Sequence, residues 1–154
     1  GGLMNAKPLF IKDEDILIHN VDVLCDLDFS LLEKKHKENS SLATLYMSKR
    51  QTTRHLLFNE KQELCGWENI NTKEEKITRE HKEVTPFAFN CIQIVSQKIF
   101  NDNNLGNVFS MIDLYLEKSK TQIIRPYFND NEHWIDVGKI ETLKKAETIK
   151  EIFC

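Results

Sequence analysis

Nothing in this sequence clips a metal through cysteine. The four cysteines, at 25, 65, 91 and 154, stand singly with no CxxC spacing, which fits reduced thiols of a cytoplasmic protein better than a zinc site or a disulfide framework. Cys25, Cys65 and Cys91 read as small core residues. No apolar run approaches the ~18 to 20 residues that span a bilayer, and the sequence does not open on a charged-then-apolar leader. A soluble, cytoplasmic protein with no membrane partner is expected. Charges of both signs are spread along the chain, with a net charge of -3 and a pI near 6.0. That distribution argues against nucleic acid as a partner, which calls for a concentrated basic stripe, and leaves small anionic ligands open. There is no GxSxG elbow and no GxxxxGK(S/T) loop, so serine hydrolases and P-loop kinases lose their usual anchors. The histidines at 19, 36, 55, 81 and 133 show no HxxxH spacing and are assigned no chemistry.

What is present suits one α/β domain. At 154 residues and 40% hydrophobic content, the chain is long enough to bury roughly two thirds of its unfolded surface. The run Asp15-Ile16-Leu17-Ile18-His19-Asn20-Val21-Asp22 reads as a central parallel strand, covered on both faces, that delivers a carboxylate to the edge of a site. A helix with Asp26, Asp28 and Ser30 as possible N-caps and a strand over 42–47 then complete a β-α-β unit. His55 to Trp67 reads as a hairpin turning at Asn59-Glu60-Lys61-Gln62, and 71–83 as a solvated loop. Val84 to Val95 is a long strand interrupted by Pro86. Ser110 and Asp113 form an acidic capping box, strands begin at Ile123 and His133, and Leu143, Ala146, Ile149 and Phe153 stripe a closing helix. The expected fold is a Rossmann-like mixed sheet, mainly parallel, flanked by helices and carrying an antiparallel hairpin excursion.

Two acids stand out. Asp22 ends the first strand, and Asp136, within His133-Trp134-Ile135-Asp136-Val137-Gly138, ends the last one. Two carboxylates are few for an all-protein calcium cage but sufficient for magnesium, whose shell is completed by water and substrate phosphates. From spacing alone Asp136 also reads as a turn residue before Gly138, and Asp22 as a helix-entry cap. Asp26-Leu27-Asp28 is a literal Asp-x-Asp, the pattern by which many glycosyltransferases hold a metal, although its place before a helix favours capping. Trp67, Glu68 and Asn69 would suit a sugar face or simply an edge tryptophan.

Taken in order, Gly1-Gly2-Leu3, Asn20-Val21-Asp22, Leu56 to Asn59 with Leu64-Cys65-Gly66-Trp67, Phe89 to Ser96, Phe109 to Leu116 and Trp134 to Gly138 resemble the sugar-phosphate nucleotidyltransferases, in particular the bacterial MurNAc-1-phosphate uridylyltransferase type. The resemblance implies transfer of a nucleotidyl group from a nucleoside triphosphate, UTP favoured, to a sugar-1-phosphate, with pyrophosphate released. It implies Mg2+ as cofactor, Asp22 and Asp136 as catalytic and metal residues, and Gly1, Gly2, Asn20, Trp67, Asn69 and Asn90 as substrate-binding residues. Three departures accompany it. Val21 stands for the usual Gly, Asn90-Cys91 stands for a Ser/Thr-Gly pair, and the glycine-rich Thr-Arg signature with its Lys-Pro segment does not occur. Residues 1–154 are therefore expected to form the carboxyl-terminal part of a nucleotidyltransferase domain, poorly active alone and prone to self-association through an open sheet edge. The alternatives are a metal-dependent glycosyltransferase using Asp26 and Asp28, or a non-catalytic sugar-nucleotide-binding module.

Overall fold

A computed structural model describes residues 2–101, 105, 106, 108–129 and 133–148. The helices are α1 (Gly2–Ala6), α2 (Phe29–Asn39), α3 (Met111–Ser119) and α4 (Ile140–Thr148). The strands are β1 (Ile16–His19), β2 (Val23–Cys25), β3 (Ala43–Ser48), β4 (Arg54–Asn59), β5 (Leu64–Asn69), β6 (Glu74–Ile77), β7 (Val84–Val95), β8 (Ile124–Tyr127) and β9 (Trp134–Asp136). Seven of them form one sheet in the order β6-β5-β4-β7-β3-β8, with β1 also paired to β7; β2 and β9 form a separate ribbon.

Alternation along the strands makes two cores. Leu45, Met47, Val95 and Ile124 face α3 with Leu114 and Tyr115, while Tyr46, Ile92 and Ile94 face α2 with Leu32. The sheet is thus sandwiched between helices, and β3, buried at every position, is the strand covered on both faces. Local signals cap the helices as expected. Asp28 accepts from the backbone N–H groups of Ser30 and Leu31, and Ser110 and Asp113 cap one another's backbone at the start of α3.

The α/β class, flanking helices and hairpin excursion match the sequence reading, but the balance of strand directions does not. Among the described strands only β3 and β8 pair in parallel; β7 runs antiparallel to β1, β3 and β4. Short turns join β4 to β7, and a hairpin connection can only return the chain antiparallel. Nor is β1 central. It runs from Ile16 to His19 in alternating exposure, with Leu17 47% exposed, and the chain turns at Val21 before Asp22. Residues 71–83 hold a strand, β6, every residue of which is exposed. Its Glu and Lys side chains hide the period-2 signal while blunting the sheet edge. Of the expected closing stripe, Leu143 and Ala146 lie on α4, whereas Ile149 and Phe153 lie outside the described residues.

Candidate active site

The site is organised by a bulge in β7. Along the β3–β7 ladder, Leu45 is opposite Gln93 but Met47 is opposite Phe89, so Tyr46 alone faces Asn90, Cys91 and Ile92. The surplus residues are accommodated by Cys91 at φ +59°, a left-handed conformation that favours glycine.

Three successive carbonyls are freed by the bulge, and each is taken by a different element. Phe89 O accepts from Arg50 Nη2 at 2.8 Å, Asn90 O from the Trp134 indole Nε1 at 2.9 Å, and Cys91 O from the Asn20 N–H at 3.2 Å. The bulge thereby fixes the turn that carries Asp22 and the strand that carries Asp136. These two segments also hold one another. In the β2–β9 ribbon Val23 is opposite Asp136, and the Val137 N–H donates to Asp22 O at 2.8 Å.

The result is convergence of the two acids. A Cβ placed on Gly138 would lie 3.0 Å from Asp136 Oδ1 and 3.2 Å from Asp22 Oδ2, so both carboxylates reach the space that Gly138 keeps open. The Gly138 N–H donates to Asp136 Oδ1 at 2.8 Å, orienting that carboxylate. Among the described residues no group of three or more His, Cys, Asp or Glu side chains could hold a metal ion. A divalent cation at this pair would complete its shell with water and ligand oxygens, as magnesium commonly does.

Beside the acids lies a buried polar nest. Asn90 is 0% exposed, and its Oδ1 accepts from Ser48 Oγ and Arg50 Nε, each at 3.0 Å. Because the Arg Nε–H can only donate, the amide orientation is fixed. Asn90 Nδ2 is then left buried with no hydrogen-bond partner, an uncommon state for an amide donor away from ligands. The Arg50 guanidinium carbon lies 4.3 Å from the Trp134 ring centroid. Burial lowers the Arg50 pKa, and Cys91 and Asp136 oppose that shift. Burial raises the Cys91 thiol; Arg50 pulls it back, and Asp22 and Asp136 push it further up.

The other predicted positions scatter. Gly2 opens α1 with nothing near its Cβ position, and Gly1 lies outside the described residues. Trp67 packs against the α3-side core with Lys76 Nζ 5.4 Å from its ring, two strands away from β7. Asn69 Oδ1 accepts from the Asn71 and Thr72 N–H groups, which makes it a turn former. In the Asp-x-Asp motif, Asp28 caps α2 and Asp26 Oδ2 lies 2.6 Å from His133 Nδ1. Neither Arg50 nor the Trp134 side chain is assigned a role from the sequence. The only local signal for Arg50 was a cation just past a strand end.

A separate cleft of about 490 Å3 opens between α2 and β1, lined by Asp13, Glu14, Asp15, Glu33 and Lys37 among others. Four carboxylates against one lysine repel phosphate, and neither Asp22 nor Asp136 lines it.

Comparison of the sequence with family models and with curated proteins finds no match. Solved structures do match. HddC from Yersinia pseudotuberculosis, complexed with GMP-PN, superposes with a TM-score of 0.66 at 19% identity, over 94% of this chain and 59% of that one. A Bacillus anthracis protein assigned as a glucose-1-phosphate thymidylyltransferase, in complex with sucrose, gives 0.70 at 12% identity, over 96% and 58%. Apo UDP-glucose pyrophosphorylase gives 0.66 at 15% identity, over 97% and 58%. The chain has the fold of these structures. It spans rather less than two thirds of their length. Among its described residues, no helix is long and apolar enough to cross a membrane.

Proposed function

We propose that this chain is the part of a sugar-1-phosphate nucleotidyltransferase that carries the acid pair, acting on a nucleoside triphosphate, UTP favoured, and a sugar-1-phosphate of the MurNAc-1-phosphate kind. The observation that carries this reading is the meeting of Asp22 and Asp136 at Gly138, beside a buried amide whose Nδ2 has no partner, in a fold shared with the structures named above. Structures of that fold bound to GMP-PN and to sucrose support a nucleotide and a sugar as ligand classes.

Asp22 and Asp136 would hold Mg2+, which when bound neutralises phosphate charge and polarises the phosphorus under attack. The residues of the chain supply position. The bulge carbonyls hold both acid-bearing segments in place, and the Gly138 N–H fixes the orientation of the Asp136 carboxylate. The buried Asn90 holds Ser48 and Arg50 through its Oδ1, and the Arg50 guanidinium adds positive charge beside the acid pair. No protein nucleophile is required, since the phosphate of the sugar itself attacks; placement and charge neutralisation carry the rate.

The test is Mg2+-dependent pyrophosphate release from UTP, GTP and dTTP with a panel of sugar-1-phosphates, alongside calorimetric binding of Mg-UTP and of each sugar phosphate to the chain. Because these residues span 58–59% of the length of the matched structures, binding is expected to be detectable while turnover is slow. Asp22→Asn and Asp136→Asn should each remove metal-dependent binding. Neither release nor binding with any pair would overturn the reading.

A further inference from the structure

Arg50 occupies a position that neither packing nor charge alone explains. Its Nε donates to Asn90 Oδ1 and its Nη2 to Phe89 O, while its face covers the Trp134 ring. Trp134 in turn donates to Asn90 O and stands two residues before Asp136 in β9. A planar guanidinium is suited to hold two acceptors in fixed directions and to stack on an aromatic at the same time, which a lysine ammonium is not. The half-buried arginine therefore joins three things: the bulge, the amide whose N–H groups are unpaired, and the strand that carries Asp136.

We infer that Arg50 is a positioning residue for the carboxylate pair: it locks the Asn90–Cys91 bulge to Trp134, so that Asp136 is held facing Asp22 and the buried Asn90 amide is kept in one orientation. The inference rests on the reading of Asp22 and Asp136 as the metal site. The sign of the expected effect separates two roles. A cation close to two carboxylates repels a second cation, so if Arg50 acted only through its charge, removing it would tighten divalent binding. If it acts by holding geometry, removing it loosens binding in spite of the relieved repulsion, as loss of an outer partner of a ligating group generally does.

Mn2+ binding to the 154-residue chain, followed by electron paramagnetic resonance, separates these cases, with the indole Nε1–H signals of Trp134 and Trp67 read by NMR in the same samples. Arg50→Met is expected to weaken Mn2+ by about tenfold and to move the Trp134 signal but not that of Trp67. Arg50→Lys, the milder variant should Arg50→Met fold poorly, keeps the charge but not the fork and is expected to bind Mn2+ as weakly as Arg50→Met. Tighter binding in Arg50→Met with no change in Arg50→Lys would reduce Arg50 to a neighbouring charge and overturn the inference. So would unchanged Mn2+ affinity in both variants while Asp136→Asn weakens it, an outcome that leaves the acid pair standing. No Mn2+ binding by the unaltered chain would remove the acid-pair reading and this inference together.

Discussion

The Trp134 indole N–H donates to the backbone carbonyl of Asn90 across 2.9 Å and 44 residues of sequence. Trp134 lies in the two-stranded ribbon and Asn90 in the seven-stranded sheet, so this bond ties two sheets that share no strand. Through it the position of Asp136 depends on the shape of β7, and that shape depends on the bulge. Alterations of the bulge should therefore register at the acids as well as in stability.

Cys91 tests the bulge directly. A non-glycine residue in the left-handed region costs about 1 to 2 kcal/mol, and Cys91 sits there at φ +59°. Cys91→Gly should leave stability to urea unchanged or raise it by up to about 1 kcal/mol, the relief being offset in part by the flexibility gained in the unfolded chain. Cys91→Val, β-branched at the same φ, should lose about 2 kcal/mol or more. Equal urea midpoints for the two variants would show that the bulge carries no such strain.

Asp28 distinguishes capping from metal binding. Its carboxylate accepts from the Ser30 and Leu31 N–H groups at 2.8 and 3.3 Å, so Asp28→Ala should cost about 1 kcal/mol of stability and leave divalent-cation affinity where it was. Asp22→Asn should show the reverse, with metal affinity lost and the denaturation midpoint little changed. Metal affinity that falls in Asp28→Ala at constant stability would restore the Asp-x-Asp glycosyltransferase arrangement.

His36 gives the fold an acid-sensitive point. It is buried beside Thr44 Oγ1, 2.8 Å from its Nδ1, with Asp15 3.7 Å from its Nε2. Burial lowers its pKa from the ordinary 6.5, and Asp15 opposes that only in part. The unfolded chain thus takes up the proton at higher pH than the folded one, so the contribution of His36 is present above about pH 6.5 and is lost as the pH falls through that value toward the folded pKa. Urea midpoints measured from pH 7.5 to 5 should decline in the natural sequence and decline less in His36→Gln. Identical slopes would show that other groups govern the acid response.

Much of the chain was legible because its signals are local. The Ser110–Asp113 box and the Asp28 cap lie within one helical turn of the groups they satisfy, and the hairpin of β4 and β5 turns on Asn59, whose Oδ1 accepts from the Lys61 and Glu63 N–H groups. The two acids were legible for another reason. Asp22 follows the first strand closely, Asp136 ends the last, and the ends of strands are where an α/β sheet presents ligand-binding groups. Strand direction was less legible, because hydrophobic pattern marks which faces are buried and says little about which neighbour a strand pairs with. β1 has alternating burial and sits beside β7, yet its apolar letters suit a central strand equally well.

The residues that position the site were settled by tertiary structure. Arg50 and Asn90 stand 40 residues apart, and Asn90 and Trp134 stand 44 apart; no local pattern links them. The sequence by itself determined the helix caps, the hairpin, the alternating faces that build the two cores and the two carboxylates. Only the folded chain decided that β7 bulges at Asn90 and Cys91, and that three freed carbonyls gather Arg50, Trp134 and Asn20. It also decided that Asn69 has no part in that gathering, since its side chain caps its own loop. The physical reason is range: a cap or turn is satisfied within a few residues, whereas a buried carbonyl freed by a bulge takes whichever donor the packing of distant strands brings within about 3 Å.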